Sequence, residues 1–372
     1  MSLPAVILCD PDSAALRVAG LTVLDRLIVA VHRAGADSIT VVSKSPLPRV
    51  ERATALSISV QSNARQPELA GPTLVLSTRL LVQPAALKQV IERGGRLAKL
   101  DGTLLPAGVL SVLSPGTLEE QLSELPIVAA AGVAELVRDA ATAARASRVL
   151  WASLVSSADG FVDKHFNRPV GRVLSRMLVH TPVSPNQVSV AATLLGLVSA
   201  WLFAVGDDRS ALWGALLLQV SAIMDCVDGE LARVMLKESP LGKWLDIVGD
   251  QIVHIGVFVC IGIGLYRAGS ESPVLPLAAS AAIGVVISFV IVTRGLMQPE
   301  SQRNSRLQKL IDATTNRDFS VLLILLVLAG KLSWFLWMAA IGVHVFWMLA
   351  LGLQLTGQPA VPTTKPSREN RA

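Results

Sequence analysis

Cysteine and charge are both scarce in this 372-residue sequence. Only Cys9, Cys226 and Cys260 are present, and their spacing fits neither a zinc site nor a disulfide framework. Charged residues make up 16% of the chain against 52% hydrophobic residues, which is typical of membrane proteins. The first residues lack a basic segment followed by a long apolar core, and we expect no cleavable signal peptide. Internal repeats and long low-complexity segments are also missing, so the composition indicates a membrane protein that is long enough for two domains.

The most unusual stretch, residues 225–250, reads DCVDGELARVMLKESPLGKWLDIVGD and places four aspartates between long apolar runs. Asp225 and Asp228 are three residues apart, so they share one face of a helix. Asp246 and Asp250 are four residues apart and do the same. The intervening KESPLGK contains proline and glycine, which predicts a break between two helices. An antiparallel helix pair would therefore bring the four carboxylates together.

Carboxylates clustered in an apolar setting predict a metal site, because uncompensated charges are costly there. Oxygen ligands suit a hard divalent cation, Mg²⁺ or Mn²⁺, which in turn attracts phosphate. The small residues Gly229, Ala232 and Gly242 would let a flat, charged ligand approach the backbone, and Arg233 could pair with a phosphate oxygen. The alternative is two amphipathic helices whose carboxylates face water, which fits poorly beside the apolar runs on both sides.

This stretch resembles the signature of the CDP-alcohol phosphotransferase (CDP-alcohol phosphatidyltransferase) family, D-x2-D-G-x2-A-R-x8-G-x3-D-x3-D. The resemblance implies an integral membrane enzyme that moves a substituted phosphate from a CDP-linked donor to an acceptor alcohol and releases CMP. It also implies two Mg²⁺ or Mn²⁺ ions, with the fourth aspartate as general base on the acceptor hydroxyl and as a further metal contact. The matching residues are Asp225, Asp228, Gly229, Ala232, Arg233, Gly242, Asp246 and Asp250.

The same resemblance implies where the substrates bind. The first three aspartates would hold the metals and the donor pyrophosphate, and the signature glycines, alanine and arginine would line the CDP site. Pro185 and Asn186 resemble the family's Pro-Asn at the start of the first span and join that site. His254, one turn after Asp250, could orient that aspartate, contact the acceptor or pack in the core. The other acceptor candidates are Arg168, Arg303, Arg306 and Arg317, for which plain membrane-side charge is the alternative.

Residues 1–147 alternate short apolar strands with helical patterns. Strands are expected at PAVILC, SITVVS, ALSISV and TLVLST, and helices at GLTVLDRLIVAVHRAGA and QPAALKQVIERGG. This alternation predicts an α/β domain with a mostly parallel sheet.

The order of these elements resembles the sugar-phosphate nucleotidyltransferases, but residues expected at a nucleotide site are missing. That family places a glycine-rich loop with an arginine, then a lysine, after its first strand, where this chain reads CDPDSAALRVAG. Ser77, Thr78 and Arg79 stand where a metal-binding aspartate is expected, and Asp10 and Asp101 fit turns. We therefore predict a degenerate, catalytically silent cytosolic domain. Docking a partner, stabilising a dimer and shaping access to the membrane site are all open as its role.

Residues 148–185 form the predicted connector. Lys164, Arg168, Arg172 and Arg176 recur there every four residues among apolar side chains, which predicts an amphipathic helix on an anionic membrane surface. A solvated basic face is the alternative. The segment DGFVDKHFNRP resembles the family branch that makes di-myo-inositol phosphate lipids or solutes. In that branch a fused nucleotidyltransferase domain makes CDP-inositol, and the membrane domain joins it to inositol phosphate.

Apolar stretches of spanning length recur over residues 186–356 and predict an all-α membrane domain. Lysine and arginine collect in residues 164–176, in the turn after the second span, in the loop after the fourth and in the 357–372 tail. The opposite loops hold only Arg209, Arg267 and Lys331. This bias predicts that both termini and the aspartates lie on the cytoplasmic side of the cell membrane. The six transmembrane helices are expected near 187–206, 211–236, 243–266, 273–294, 318–331 and 332–355.

The substrates stay open at this point. The donor could be CDP-inositol or CDP-diacylglycerol, and the acceptor inositol phosphate, glycerol phosphate or another alcohol. A CDP-diacylglycerol-dependent phospholipid synthase, of the phosphatidylinositol phosphate or phosphatidylglycerol phosphate type, is therefore the alternative to an inositol phosphodiester enzyme. The non-enzymatic alternatives are a membrane scaffold, which the intact signature disfavours, and a metal transporter, which the clustering of acids at one turn disfavours. The family resemblance implies a homodimer; we expect membrane lipid, and no nucleic acid, among the partners.

Overall fold

The computed structural model describes residues 3–114, 116–154, 159–297, 307, 310–311 and 319–356. The chain divides into two compact units, each made of three separate segments. The first unit is Met1–Val155, Arg176–Pro182 and Leu231–Lys237. The second is Ser156–Ser175, Val183–Glu230 and Glu238–Ala372.

The first unit contains a mixed set of short strands and helices. Its strands are β1 (Ala5–Leu8), β2 (Arg17–Val18), β3 (Leu21–Thr22), β4 (Ile39–Val42), β5 (Val60–Asn63), β6 (Thr73–Ser77), β7 (Leu80–Val82), β8 (Arg96–Ala98), β9 (Leu104–Leu110), β10 (Ile127–Ala129) and β11 (Ala134–Leu136). Its helices are α1 (Pro11–Ala14), α2 (Val23–Arg33), α3 (Glu51–Ala55), α4 (Pro84–Arg93), α5 (Leu118–Gln121) and α6 (Ala140–Ala152).

Seven strands form one sheet in the order β10-β8-β9-β6-β1-β4-β5. β1 pairs in parallel with β4 and β6, β4 with β5, and β8 with β10. Only β9 runs antiparallel to its neighbours in this sheet, β6 and β8. The interior strand β1 reads AVIL and is almost wholly buried, as expected for a parallel strand covered on both faces. The prediction of an α/β region with a mostly parallel sheet is confirmed.

The strand predicted over residues 55–60 is wrong. α3 ends at Ala55, and β5 begins only at Val60. The helix forms here because the buried carboxylate of Asp25, on α2, accepts hydrogen bonds from the backbone amides of Arg52 and Ala53, each at 2.7 Å. These amides lie in the first turn of α3 and have no partner within the helix, so Asp25 supplies what an N-cap would.

A small hairpin joins β2 to β3 through Ala19 and Gly20, which both have positive φ, 44° and 89°. The buried guanidinium of Arg26 holds this turn: its Nε donates to the Val18 carbonyl at 2.7 Å and its Nη2 to the Ala19 carbonyl at 2.8 Å. Burial lowers the pKa of Arg26 to about 10, against a smaller opposing effect of Asp25. The arginine therefore stays charged at neutral pH and fixes the hairpin as a rigid feature.

The second unit is helical. A π-helical turn at Asp163–Asn167 leads directly into α7 (Arg168–Leu178), most of which belongs to this unit. The further helices given by the described residues are α8 (Pro185–Val205), α9 (Asp208–Val234), α10 (Pro240–Arg267), α11 (Val274–Leu296), α12 (Phe319–Leu328) and α13 (Leu332–Thr356).

Five of these helices, α8 to α11 and α13, are long and apolar enough to cross a membrane. A multi-pass membrane region is therefore confirmed. The predicted span over 318–331 coincides with α12, whose ten residues rise only about 15 Å, roughly half the apolar thickness of a bilayer. A sixth span is not confirmed within the described residues.

Glycines allow α8 and α10 to pack at a short distance from each other. A Cβ at Gly264 would lie 1.9 Å from the carbonyl oxygen of Phe203, and a Cβ at Gly196 would lie 2.6 Å from a methyl of Val253. Close approach through small residues is how helices pack in membranes, where no hydrophobic force drives them together. Gly256 differs, because a Cβ there would make an ordinary 3.5 Å contact with Ala200.

A chain of buried polar side chains crosses the second unit. Asn167 donates to a carboxylate oxygen of Asp163 at 2.7 Å, and its own amide oxygen accepts from Nε2 of Gln219 on α9. The amide oxygen of Gln219 in turn accepts from the hydroxyl of Ser320 on α12 at 2.7 Å. All four residues are buried, so each hydrogen bond avoids the penalty of an unsatisfied polar group in an apolar interior.

Candidate active site

The two helices that carry the aspartates begin and end as the sequence predicts. α9 ends at Val234, and α10 begins at Pro240, within the KESPLGK break. Ser239 caps α10, since its hydroxyl accepts from the Gly242 amide at 3.0 Å, and Pro240 occupies the first turn, where a missing N–H is harmless.

Three of the four predicted aspartates come together. One carboxylate oxygen from each of Asp225, Asp228 and Asp246 lies within 4.8 Å of the others. Asp228 is buried, and the other two are half-buried. An all-carboxylate set at this spacing fits a hard divalent cation such as Mg²⁺ or Mn²⁺. Asp250 lies one turn after Asp246 on α10 and is not part of this 4.8 Å set.

Two residues predicted for the CDP site are neighbours. Gly242 lies so close to Asn186 that a Cβ on the glycine would stand 2.9 Å from the asparagine side-chain oxygen. Pro185 and Asn186 begin α8, after a capping box in which Ser184 and Gln187 satisfy each other's backbone amides. The remaining predicted residues are on α9: Gly229 and Ala232 are half-buried and Arg233 is exposed.

A charged cluster that the sequence pattern did not reveal lies beside the signature. Glu230, two residues after Asp228, is fully buried, and its Oε1 is 3.8 Å from Arg168 and 3.6 Å from Arg172. These separations are beyond hydrogen-bond range, so charge alone links the groups. Arg168 also forms a two-point ion pair with Asp159, at 2.5 and 2.6 Å.

This cluster could have been inferred from one signal. Glu230 is an ionisable residue inside an apolar helix, and such residues need a partner of opposite charge. The signature leaves position 230 unspecified and therefore gives Glu230 no role. Arg168 is thus placed in an ion-pair cluster, whatever it contributes to acceptor binding.

The other acceptor candidates fall in different settings. His254 packs against Phe319 and Phe258, with ring centroids 5.3 and 6.4 Å away. This aromatic environment fits the alternative of a core histidine. Arg303, Arg306 and Arg317 lie outside the described residues.

In the first unit, β1 and β6 are neighbours, and the residues that follow them are those compared above with a nucleotide site. Asp10 forms an ion pair with Arg79 at 2.7 Å, and its backbone amide donates to the Thr78 hydroxyl at 2.9 Å. Slight burial raises the pKa of Asp10, but the hydrogen bond and charge of Arg79 outweigh it and lower the pKa below its usual value. The cavity here measures about 150 Å³, which is small beside typical ligand pockets of about 300–1,000 Å³.

Comparison with known proteins adds a family and relatives. Residues 182–357 match the family model described as CDP-alcohol phosphatidyltransferase. The chain is 36% identical over 148 residues to a bifunctional IPC transferase and DIPP synthase of Thermococcus kodakarensis, covering 39% of this chain and 32% of the relative. It is 29% identical over 229 residues to the protein of the same description in Archaeoglobus fulgidus, covering 59% of this chain and 43% of the relative. The matches thus span less than half the length of these relatives.

Among solved structures, a Mycobacterium tuberculosis phosphatidylinositol phosphate synthase with CDP-DAG bound is similar at a TM-score of 0.40 and 17% identity. The match covers 52% of this chain and all of that structure.

Proposed function

We propose that this chain, whose residues 182–357 match the CDP-alcohol phosphatidyltransferase family model, moves a substituted phosphate from a CDP-linked donor to an acceptor alcohol. The observation that carries the proposal is the convergence of Asp225, Asp228 and Asp246 within 4.8 Å inside the matched segment. The acceptor oxygen forms a new bond to phosphorus, the bond from phosphorus to the CMP oxygen breaks, and CMP leaves.

Asp225, Asp228, Asp246 and Asp250 would hold two divalent ions, Mg²⁺ or Mn²⁺. The carboxylate donor set of the first three fits such ions in type and spacing. A bound divalent ion supplies charge neutralisation at the donor pyrophosphate. Asp250 joins the proposed ligands through its position one turn beyond Asp246 and through the family signature.

Asp250 takes the proton from the acceptor hydroxyl as the new bond forms. A carboxylate beside the metal ions can accept this proton as well as contact a metal, and Asp250 lies one turn after the ligand Asp246 on α10. Arg233 pairs with a phosphate oxygen of the donor. Gly229, Ala232 and Gly242, with Pro185 and Asn186, form the surface on which CDP rests.

For the acceptor, Arg168 is the described residue with the strongest structural argument. Asp159 and Glu230 fix its guanidinium, so the side chain is held in place before any ligand arrives. His254, Arg303, Arg306 and Arg317 are the further acceptor candidates. A phosphorylated alcohol such as inositol phosphate would suit a set dominated by arginine.

We propose an inositol phosphodiester product, with CDP-inositol as donor, because the relatives named above are described as IPC transferase and DIPP synthase. A CDP-diacylglycerol-dependent phospholipid synthase is the second candidate. The α/β region is proposed to be a silent nucleotidyltransferase-like domain: the small cavity at the ends of β1 and β6 and the Asp10–Arg79 ion pair support this.

The topology belongs to the same proposal. Six crossings would place both termini and the aspartates on the same side of the membrane, and the distribution of lysine and arginine supports the cytoplasmic side. We propose a homodimer on family resemblance.

The test is CMP release by the purified full chain with Mg²⁺ and inositol phosphate, given CDP-inositol or CDP-diacylglycerol in separate reactions. Release with CDP-inositol alone supports the inositol reaction, and release with CDP-diacylglycerol alone supports the phospholipid synthase. Release that persists in EDTA contradicts the metal role. A chain that folds and binds Mn²⁺ but releases no CMP with any CDP-alcohol is a scaffold or transporter.

Asp250→Asn separates the proposed roles. It should abolish turnover while CDP binding, followed by calorimetry, stays within about threefold, because the proton acceptor is lost and the three clustered carboxylates are kept. Asp208→Asn, at the exposed first turn of α9, is the control and should behave as wild type. Loss of CDP binding in Asp250→Asn would move this residue into the donor site.

A further inference from the structure

The first unit contains a cavity of about 430 Å³ that the proposed transferase reaction does not use. Its walls come from the β2–β3 hairpin, from one face of α6 and from Arg176, Val179 and His180 in the short segment Arg176–Pro182. The volume falls within the range of small-molecule sites.

The charge of this cavity is one-sided. Arg17, Arg148 and Arg176 line it together with His180, and none of the lining residues is acidic. In the part of the chain that the structure describes, none of these arginines forms an ion pair. A concentration of guanidinium groups without a carboxylate attracts an anion, and arginine favours phosphate through its forked donors.

The cavity walls are also rigid. The hairpin turn is held by the buried Arg26, as described above, and Gly20 packs so tightly on the residue after α7 that a Cβ would lie 2.9 Å from a methyl of Val179. The guanidinium of Arg176 lies over the ring of the buried Trp151 at 5.9 Å, which restricts its motion. Preformed walls and a partly fixed arginine reduce the entropy lost on binding.

Room for a ligand comes from small side chains. The α6 face that lines the cavity carries Ala140, Ala143 and Ala144 below Arg148 and Trp151. Larger residues at these three positions would fill the space. In the sequence, His180 precedes the first candidate span by five residues, so a lipid headgroup is one source of the anion and a soluble molecule is the other.

We propose that this cavity binds a phosphomonoester, with Arg17, Arg148 and Arg176 as its anion ligands and the alanine face of α6 beneath the rest of the molecule. The site is separate from the aspartate cluster and does not depend on the transferase reaction. Its ligand would bridge the hairpin, α6 and the end of α7, and so stabilise the first unit.

The experiment uses the full chain in phosphatidylcholine nanodiscs. In one arm glycerol phosphate is titrated as the soluble phosphomonoester, and in the other the nanodiscs contain increasing phosphatidic acid. Binding is measured by calorimetry in the first arm and by the shift of the apparent melting temperature in both, at constant ionic strength.

Three variants identify the site. Arg148→Glu should weaken binding about tenfold or more, because it reverses a charge that touches the ligand. Arg145→Glu makes the same change on the same helix at an exposed position outside the cavity and should alter binding less than about twofold. Ala144→Leu leaves the charge unchanged and should also abolish binding, because it fills an exposed wall of the cavity.

The outcomes are distinct. Loss in Arg148→Glu and Ala144→Leu, with Arg145→Glu unaffected, supports the site, and the arm that responds identifies a soluble or a lipid source. Equal loss in the two glutamate variants means general attraction to a basic surface and overturns the proposal. Binding that survives Ala144→Leu, or no binding in either arm, also overturns it. CMP release measured in parallel should be retained in all three variants, so failure of the transferase proposal would be seen separately.

Discussion

Asp228→Asn should have opposite effects on stability with and without metal. The three carboxylates lie within 4.8 Å of one another, and two unit charges at that distance repel by about 3.5 kcal/mol at an effective dielectric constant of 20. Neutralising Asp228 removes two of the three pairs, about 7 kcal/mol of repulsion at that distance and dielectric constant. Even about 1 kcal/mol would raise the apparent melting temperature by about 2–4 °C for a domain of this size.

In the presence of metal, the order of the two melting temperatures should reverse. A divalent ion present at about 100 times its Kd stabilises the wild type by about 2.7 kcal/mol, because it binds only the folded chain. The variant lacks a buried ligand and should gain little from the ion. We therefore expect Asp228→Asn to melt above the wild type in EDTA and below it in excess Mn²⁺.

The assay is thermal unfolding of the detergent-solubilised full chain, read by tryptophan fluorescence, in EDTA and in a series of Mn²⁺ concentrations. Asp208→Asn makes the same chemical change at the exposed first turn of α9 and should keep the wild-type response to Mn²⁺. If Asp228→Asn melts below the wild type in EDTA as well, mutual repulsion does not dominate the cluster and the reasoning is refuted.

Three further predictions concern packing and pH. Gly264→Ala should destabilise the bundle by about 1–3 kcal/mol or more, because its Cβ would lie 1.9 Å from the Phe203 carbonyl oxygen. Gly256→Ala on the same helix is the control and should be neutral or stabilising by up to about 1 kcal/mol; similar melting temperatures for the two variants would contradict the packing argument. Gln219→Leu should lower the free energy of unfolding by about 2–4 kcal/mol, because Asn167 and Ser320 lose a buried partner; a loss no larger than in the conservative Gln219→Asn would argue against the network. Asp10→Asn should lower the stability of the first unit by about 0.2–1 kcal/mol at pH 7, since this ion pair is partly exposed. The lowered pKa of Asp10 makes its contribution present above the usual aspartate pKa of about 4 and lost as pH falls through the folded value, so urea unfolding at pH 7 and pH 3 should show the difference disappear in acid.

Local patterns predicted most of the architecture. Alternating apolar strands and amphipathic helices predicted the parallel-rich sheet, and proline with glycine predicted the break between α9 and α10. α3 was missed because its first amides are held by Asp25, 27 and 28 residues earlier in the chain, and no pattern within residues 51–60 reports that contact.

The candidate site was also predictable from local patterns, but not where it depends on contacts between distant parts of the sequence. Helical spacing and the signature predicted that Asp225, Asp228 and Asp246 lie close together, and the structure brings them within 4.8 Å. The prediction was possible because Asp225 and Asp228 lie near the end of α9 and Asp246 lies near the start of α10. The position of Asp250 relative to them depends on the rotation of α10, which spacing alone does not determine. Glu230 was missed because its partners Arg168 and Arg172 lie about 60 residues away in sequence.

The buried polar chain from Asp163 to Ser320 acts as a register lock. The amide of Gln219 both donates to Asn167 and accepts from Ser320, so it fits its two neighbours in one orientation and at one height along α9. A slip of α9 by one turn, about 5.4 Å, would break the hydrogen bonds of Gln219 to Asn167 and to Ser320 and would place the Gln219 amide among apolar side chains. The shortest apolar helix, α12, is thereby fixed to the helix that carries Asp225 and Asp228, and errors in its placement during membrane insertion would be corrected by a polar contact rather than by its own length.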